Sequence, residues 1–260
     1  KTSILYGLVL FSLLTVLFGS LFVFRSLTQE RRLLSMKANF LSSVSHELKT
    51  PLTSIKMFAE MMAKGRVQKM EKIQEYSGLI GKESTRLENL IGAILNYTRM
   101  ERGSQAFHWE RIDMAQCAEK VYNALLHIAD DRGIKMDLEI ERGNFVMGDY
   151  TSLYSLAQNL IENAIKYTNP PGHVTVRVKN ELDKVVFSVT DTGIGIASSE
   201  QKNIFNDFYR VGDEMTRSTK GSGLGLAIVK RVAEAHKADV SVQSKPGKGS
   251  TFTVRLRKAE

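Results

Sequence analysis

A chain of 260 residues, 43% hydrophobic and 25% charged, has the make-up of a folded protein with one or more sizeable cores, which excludes global disorder. The formal net charge of +8 raises nucleic acid as a ligand, but no basic run carries interleaved aromatics; much of the excess lies beside an apolar segment and in one polar loop, so no nucleic-acid role is expected. The single cysteine, Cys117, excludes a disulfide framework and a multi-cysteine metal site and is expected in a core.

Ile4 to Phe24 is a stretch of 21 residues without a charge. At about 1.5 Å per helical residue it matches a hydrocarbon core of ~30 Å. A signal peptide would be shorter and followed by a small-residue cleavage site. Arg25, Arg31, Arg32 and Lys37 follow it, which places the rest of the chain in the cytoplasm. The expected setting is therefore the inner (cytoplasmic) membrane, with one transmembrane helix over residues 1–24 and a charged juxtamembrane linker over 25–37.

Residues 38–102 read as two long helices. Phe40, Leu41, Val44, Leu48, Leu52, Ile55, Phe58, Ala59 and Met62 fall within about a third of the first helix's circumference, and His46 points away from them. After a turn near Gly65, Ile73, Ile80, Leu87 and Ile94 recur every seventh residue, with Leu90 and Tyr97 beside them. A lone helical hairpin buries little, so pairing of two copies in a four-helix bundle is predicted, making the chain a homodimer. At Gly103-Ser104-Gln105 the pattern changes to mixed strands and helices, which predicts an interdomain hinge and a second domain over 106–260.

The segment Ser45-His46-Glu47-Leu48-Lys49-Thr50-Pro51 is the first with chemistry in it. Pro51 cannot donate to the carbonyl of Glu47, so the helix is expected to bend after an outward-facing imidazole. A neutral imidazole is nucleophilic near pH 7, and the adjacent Glu47 can hold the other ring nitrogen and accept its proton. Taken alone, such a pair is more often merely solvated. His108, His127, His173 and His236 lack comparable surroundings and are expected to be structural. The segment resembles the phosphoacceptor box of the sensor histidine kinases of two-component systems, and the boxes expected of their partner domain follow in order.

A predicted helix over 149–168 carries Asn159, Glu162, Asn163, Lys166 and Tyr167 on one face, with Leu153, Leu160, Ala164 and Ile165 on another. Amide, carboxylate and ammonium groups suit Mg²⁺ and phosphate oxygens, and two mid-helix asparagines are poor helix formers without such a role. An apolar strand, Val185 to Val189, then leads into Asp191-Thr192-Gly193-Ile194-Gly195, where a carboxylate at a strand end can accept a hydrogen bond from an adenine amino group. Phe205-Asn206-Asp207-Phe208-Tyr209-Arg210 opens a polar stretch to Lys220 suited to a lid, with Arg217 as a further cation. Gly221-Ser222-Gly223-Leu224-Gly225 precedes a helix, an arrangement that offers backbone N–H groups to an anion. Neither a Rossmann fingerprint nor a Walker loop is present. Strands are predicted over 239–244 and 250–257.

Together these boxes resemble the ATP-binding fold shared by histidine kinases, type II topoisomerases and certain chaperone ATPases. The resemblance implies an α/β sandwich with a mixed sheet. It also implies autophosphorylation of His46 from ATP, followed by transfer to an aspartate on the receiver domain of a response regulator. Asn159 and Asn163 would hold Mg²⁺ and phosphates, Lys166 the phosphates, and Tyr167 the adenine ring. Asp191, Gly193, Gly195 and Thr251 would form the adenine pocket, and Phe208, Arg210, Gly221, Gly223 and Gly225 would cover the phosphates. Glu47 to Thr50 fits the family's E-x-x-T pattern for regulator dephosphorylation, adding Thr50 to the catalytic set. A simple ATPase is the competing reading. Those relatives carry a water-activating glutamate four residues before the Mg²⁺ asparagine, whereas this chain has Asn159 there.

Overall fold

The computed structural model describes residues 2–67, 69–101, 107–207, 209 and 224–259. The chain divides into two compact units, Lys1–His46 and Glu47–Glu260. Helix α1 runs from Thr2 to Ala63 without a break, so residues 25–37, expected as a linker, are helical. Within it, Phe11–Thr28 is long and apolar enough to cross a membrane, and its side chains are exposed. The hinge expected at Gly103-Ser104-Gln105 lies outside the described residues.

The helix α1 closes on a glycine. Gly65 takes a positive φ of 64° and donates to the carbonyl of Met62, while Arg66 donates to that of Met61. That pair of bonds satisfies two carbonyls of the last turn and reverses the chain into α2 (Met70–Glu101). Phe58 of α1 meets Tyr76 of α2 at 4.9 Å between ring centroids. Among the described residues, the hairpin leaves part of its apolar stripe uncovered. Val44 is buried, but Leu41, Leu52, Ile91 and Leu95 remain 64%, 58%, 42% and 49% exposed.

The remainder is an α/β sandwich. Strands β2 (Ile134–Ile140), β4 (Gly172–Glu181), β5 (Lys184–Asp191), β6 (Asp239–Ser244) and β7 (Ser250–Arg257) form a sheet ordered β2-β4-β5-β7-β6. Only β2 and β4 are parallel, so the sheet is mixed. The run Val185-Val186-Phe187-Ser188-Val189 is buried throughout because β5 is central, whereas β7 alternates. Helices α3 (Met114–Asp131), α4 (Tyr150–Tyr167) and α5 (Gly225–Ala235) each bury one apolar stripe. Cys117 sits in that core, where burial pushes its thiol up to about 12, so it is inert.

A small antiparallel pair, β1 (Trp109–Asp113) with β3 (Phe145–Asp149), completes the domain. Asp149 ends β3 and caps α4. Its Oδ1 accepts the N–H of Ser152 at 2.8 Å, and its Oδ2 that of His108 at 3.0 Å. Burial opposes the charge, but these hydrogen bonds outweigh it and hold the carboxyl below its ordinary value. The stability it contributes is therefore present above the ordinary aspartate range and lost as pH falls through the lowered value. Asp149→Ala is expected to destabilise this domain by about 2 kcal/mol, one cap and one further part-buried hydrogen bond. Asp149→Asn should retain most of the cap. Urea unfolding followed by fluorescence of Trp109, the only tryptophan, measures both; equal midpoints for wild type and Asp149→Ala would show that the cap contributes nothing.

Candidate functional site

The phosphoacceptor-like segment lies within α1. His46 is exposed, Glu47, Leu48 and Thr50 are half-buried, and Pro51 is buried, so the helix turns its imidazole to solvent and its proline inward. Thr53 donates its hydroxyl to the Lys49 carbonyl at 2.7 Å and Ser54 to the Thr50 carbonyl at 3.3 Å. These are back-bonds that occupy carbonyls near the proline.

The polar face of α4 forms as its spacing predicts. Asn159 donates Nδ2 to the Ser155 carbonyl at 2.7 Å. A Cβ placed on Gly225 would lie 2.8 Å from Asn159 Oδ1 and 3.5 Å from Asn163 Nδ2. The first residue of α5 thus sits against both asparagines. With its N–H₂ committed to the helix, Asn159 presents an amide oxygen, the donor type a hard cation takes. One turn on, the Lys166 ammonium stacks 4.8 Å above the Tyr167 ring. Glu162 is exposed and accepts from Gln158 at 2.7 Å, so its carboxylate is engaged on a different line of the helix.

Asp191 ends β5 with its side chain 5% exposed. Its Oδ1 accepts the N–H of Gly193 at 2.8 Å and of Ser250 at 3.2 Å, while Oδ2 has no partner among the described residues. Burial pushes the carboxyl up, and the two N–H groups pull it partly back. Gly193 and Gly195 are required by the protein's own backbone. A Cβ on Gly193 would lie 2.2 Å from the Tyr167 carbonyl oxygen, which accepts the N–H of Ile194 at 3.1 Å. Gly195, at φ 67°, would meet the Lys245 carbonyl at 2.0 Å. The loop after Asp191 is consequently pinned between the end of α4 and the turn before β7.

One expectation is corrected. Thr251 pairs with Thr190, their hydroxyl oxygens 3.1 Å apart, whereas Asp191 pairs with Ser250. Successive strand side chains point to opposite faces, and Val189, Asp191, Ser250 and Phe252 are buried while Thr190 and Thr251 are half-exposed. Thr251 therefore stands on the face away from Asp191, and the residue beside that carboxylate is Ser250. Its hydroxyl oxygen lies 2.9 Å from that of Ser244, which also accepts the N–H of Ile196 at 2.7 Å. Phe208, Arg210, Arg217, Lys220, Gly221 and Gly223 lie outside the described residues.

Residues 148–260 match the family model for histidine kinase-, DNA gyrase B- and HSP90-like ATPases, and residues 36–103 match that for the His Kinase A (phospho-acceptor) domain. The chain belongs to the sensor histidine kinases of two-component systems. It is similar to the sensor protein SrrB of Staphylococcus aureus, 32% identical over 93% of this chain, and spans 42% of that relative's length. Among solved structures, the Acinetobacter baumannii histidine kinase AdeS shares the fold at a TM-score of 0.63 and 21% identity, covering 83% of this chain and 98% of that one. The histidine kinase ThkA, in complex with the response regulator protein TrrA, does so at 0.62 and 24%, covering 88% and 64%.

The buried carboxylate generates a prediction. Because the folded state raises the pKa of Asp191, stability present below the ordinary aspartate pKa is lost as pH rises through the raised value. Asp191→Asn retains an oxygen for both N–H donors and carries no charge. Its melting temperature at pH 7 is expected to equal or exceed wild type, with the gap narrowing toward pH 4. Thermal melts across that range check this; a variant less stable at pH 7 than at pH 4, relative to wild type, would contradict it.

Proposed function

We propose that this chain is the membrane-anchored catalytic part of a sensor histidine kinase that phosphorylates its own His46 from ATP and passes the phosphoryl group to an aspartate of a response regulator. The observation that carries the reading is the meeting of Asn159 and Asn163 with Gly225, in the same domain as a buried Asp191 residue that spends only Oδ1 on its own backbone. A carboxylate oxygen left over at a strand end suits the amino group of adenine, and a polar helix face against a helix N-terminus suits phosphates and their counter-ion.

The roles follow from the chemistry of the donors and the family resemblance. Asp191 accepts from the adenine amino group, with Ser250 beside it in the place first expected of Thr251. Tyr167 covers the base, and Lys166, which stacks on Tyr167, meets the phosphates. Phe208, Arg210, Gly221, Gly223 and Gly225 close over the phosphates. Asn159 and Asn163 would hold Mg²⁺ through their amide oxygens, and the ion supplies charge that neutralises the departing diphosphate. A ring nitrogen of His46 attacks the γ-phosphorus. An N–P bond forms as the bond to the β,γ-bridging oxygen breaks, and ADP leaves with that electron pair. Glu47, one residue on, accepts the proton of the other ring nitrogen.

The apolar residues left exposed on α1 and α2 support a dimeric four-helix bundle. The apolar segment Phe11–Thr28 and the cations after it support a helix across the inner membrane, with the catalytic domains in the cytoplasm. Hydrolysis by water is the weaker reading, because Glu162 is engaged with Gln158. Incubation with γ-labelled ATP is expected to give acid-labile, alkali-stable phosphate on wild type, and none on His46→Ala, which still binds nucleotide. Stable label on another residue of that variant would sink the assignment.

Thr50 lies one turn after His46, about 40° from it around the helix, so both can face one docked regulator. A hydroxyl there can aim a water at the regulator's aspartyl phosphate. Thr50→Ala is expected to leave autophosphorylation within a few-fold and to slow regulator dephosphorylation about tenfold, or 1.4 kcal/mol of transition-state stabilisation. Decay of purified phospho-regulator with ADP present reads this directly; equal decay with both proteins leaves Thr50 as a helix residue only.

A further inference from the structure

His236 was expected to be merely structural, yet it joins three elements at one point. It is the C-cap residue of α5 and only 6% exposed. Its Nδ1 lies 2.8 Å from the carbonyl of Val232, and its Nε2 accepts the N–H of Asp149 at 3.0 Å. One nitrogen donates and the other accepts, so the ring is a neutral imidazole protonated at Nδ1. Asp149 is the N-cap of α4 and also holds the N–H of His108, in the segment that enters the domain. Trp109 and Phe107 of that segment stack on the imidazole at 4.9 and 5.9 Å. The backbone of β3 presses on it as well, since a Cβ on Gly148 would lie 2.9 Å from His236 Cδ2.

The far end of the same helix pair is the candidate site. The contact at His236 joins the C-cap of α5 to the N-cap of α4, and the contact at Gly225 joins the first residue of α5 to Asn159 and Asn163. From Gly225 to His236 is about 16 Å of helix, and from Asp149 to Asn159 about 15 Å. The two helices are thus pinned at both ends over matching lengths. A slip at the His236 end has no slack to absorb it before Gly225.

We propose, resting on the kinase reading above, that His236 is a positioning residue for the nucleotide: by accepting the Asp149 N–H it fixes α5 lengthwise against α4 and so sets where the start of α5 meets Asn159 and Asn163. The bond needs an unprotonated Nε2. With their flanking residues, β1, β3 and α5 carry His108, Glu110, Arg111, Asp113, Asp149, Lys230, Arg231, Glu234 and Lys237, and of these Asp149 is the one that acts on the ring electrostatically. Burial favours the neutral ring and outweighs both the Val232 carbonyl and the Asp149 charge, so the pKa lies below the usual histidine value. The lock is closed at neutral pH and opens as pH falls through that lowered value.

The test is binding of a Mg²⁺-loaded, non-hydrolysable ATP analogue to the purified chain between pH 5 and 7.5. His236→Phe keeps the aromatic stacking but leaves the Asp149 N–H without an acceptor. It is expected to weaken binding about tenfold at pH 7.5, while Trp109 fluorescence still reports a cooperative melt. His236→Gln can place an amide oxygen where Nε2 stood. It is expected to bind within about threefold of wild type at pH 7.5 and to lose the weakening that wild type shows toward pH 5. A folded His236→Phe that binds like wild type overturns the proposal. So does a His236→Gln variant with the acid dependence of wild type, and that comparison needs no folded His236→Phe. A wild-type chain that binds no nucleotide at any pH counts against the kinase reading instead.

Discussion

Burying a carboxylate at the end of the central strand is unfavourable, and much of the catalytic domain is arranged around doing so at Asp191. Two N–H groups converge on its Oδ1, one from the loop after β5 and one from the start of β7. Each requires a close backbone approach. A Cβ on Gly249 would lie 1.9 Å from the Asp191 carbonyl oxygen, and one on Gly193 would meet the Tyr167 carbonyl. The glycines that a sequence reader assigns to ligand approach are therefore first needed by the protein itself, to bring its own backbone around one charge. Oδ2 is not spent on that backbone, and a carboxylate oxygen left over is a place for a donor to bind.

Helix α4 meets a second constraint, because one helix must both fill the core and carry polar chemistry. Its buried face, from Leu153 to Ile165, packs under the sheet, and its other face carries Asn159, Asn163 and Lys166. Asparagine in mid-helix is ordinarily costly because its amide competes for backbone groups. Here the competition is used: Asn159 spends its N–H₂ on the Ser155 carbonyl and is held with its oxygen toward α5. A smooth interior segment would have tolerated alanine at both positions. The cost is borne where α4 meets the start of α5.

Much of this was legible from local pattern, and the failures have physical causes. The spans predicted for α4, β6 and β7 lie within a residue of those observed, because the face spacing of α4 and the alternation of Phe252, Val254 and Leu256 are local patterns. That same alternation already put Thr251 on the outer face and Ser250 on the inner one; the error at Thr251 came from taking the box as a unit and ignoring strand parity. The role of Asp149 and His236 was not legible at all. They are 87 positions apart, and nothing in the composition around either residue announces a bond that only the packing of α5 on α4 creates.

The two folded parts of Glu47–Glu260 differ in how much they finish alone. In the α/β domain, Val121, Leu156, Leu160, Val176, Phe187 and Val254 are wholly buried, and its stability is a property of one chain. Among its described residues the hairpin buries Pro51, leaves Leu48, Ile55, Ile73, Ile80, Leu87 and Ile94 half-buried, and leaves Leu52, Ile91 and Leu95 exposed. In the dimer proposed above, those residues are covered by a second copy, so the hairpin's order depends on association. A segment held marginally in this way can shift between packings at a cost of a few kcal/mol, whereas the close-packed α/β core cannot. In the kinase proposed above, a signal would therefore act on the hairpin, while the close-packed α/β core stays fixed.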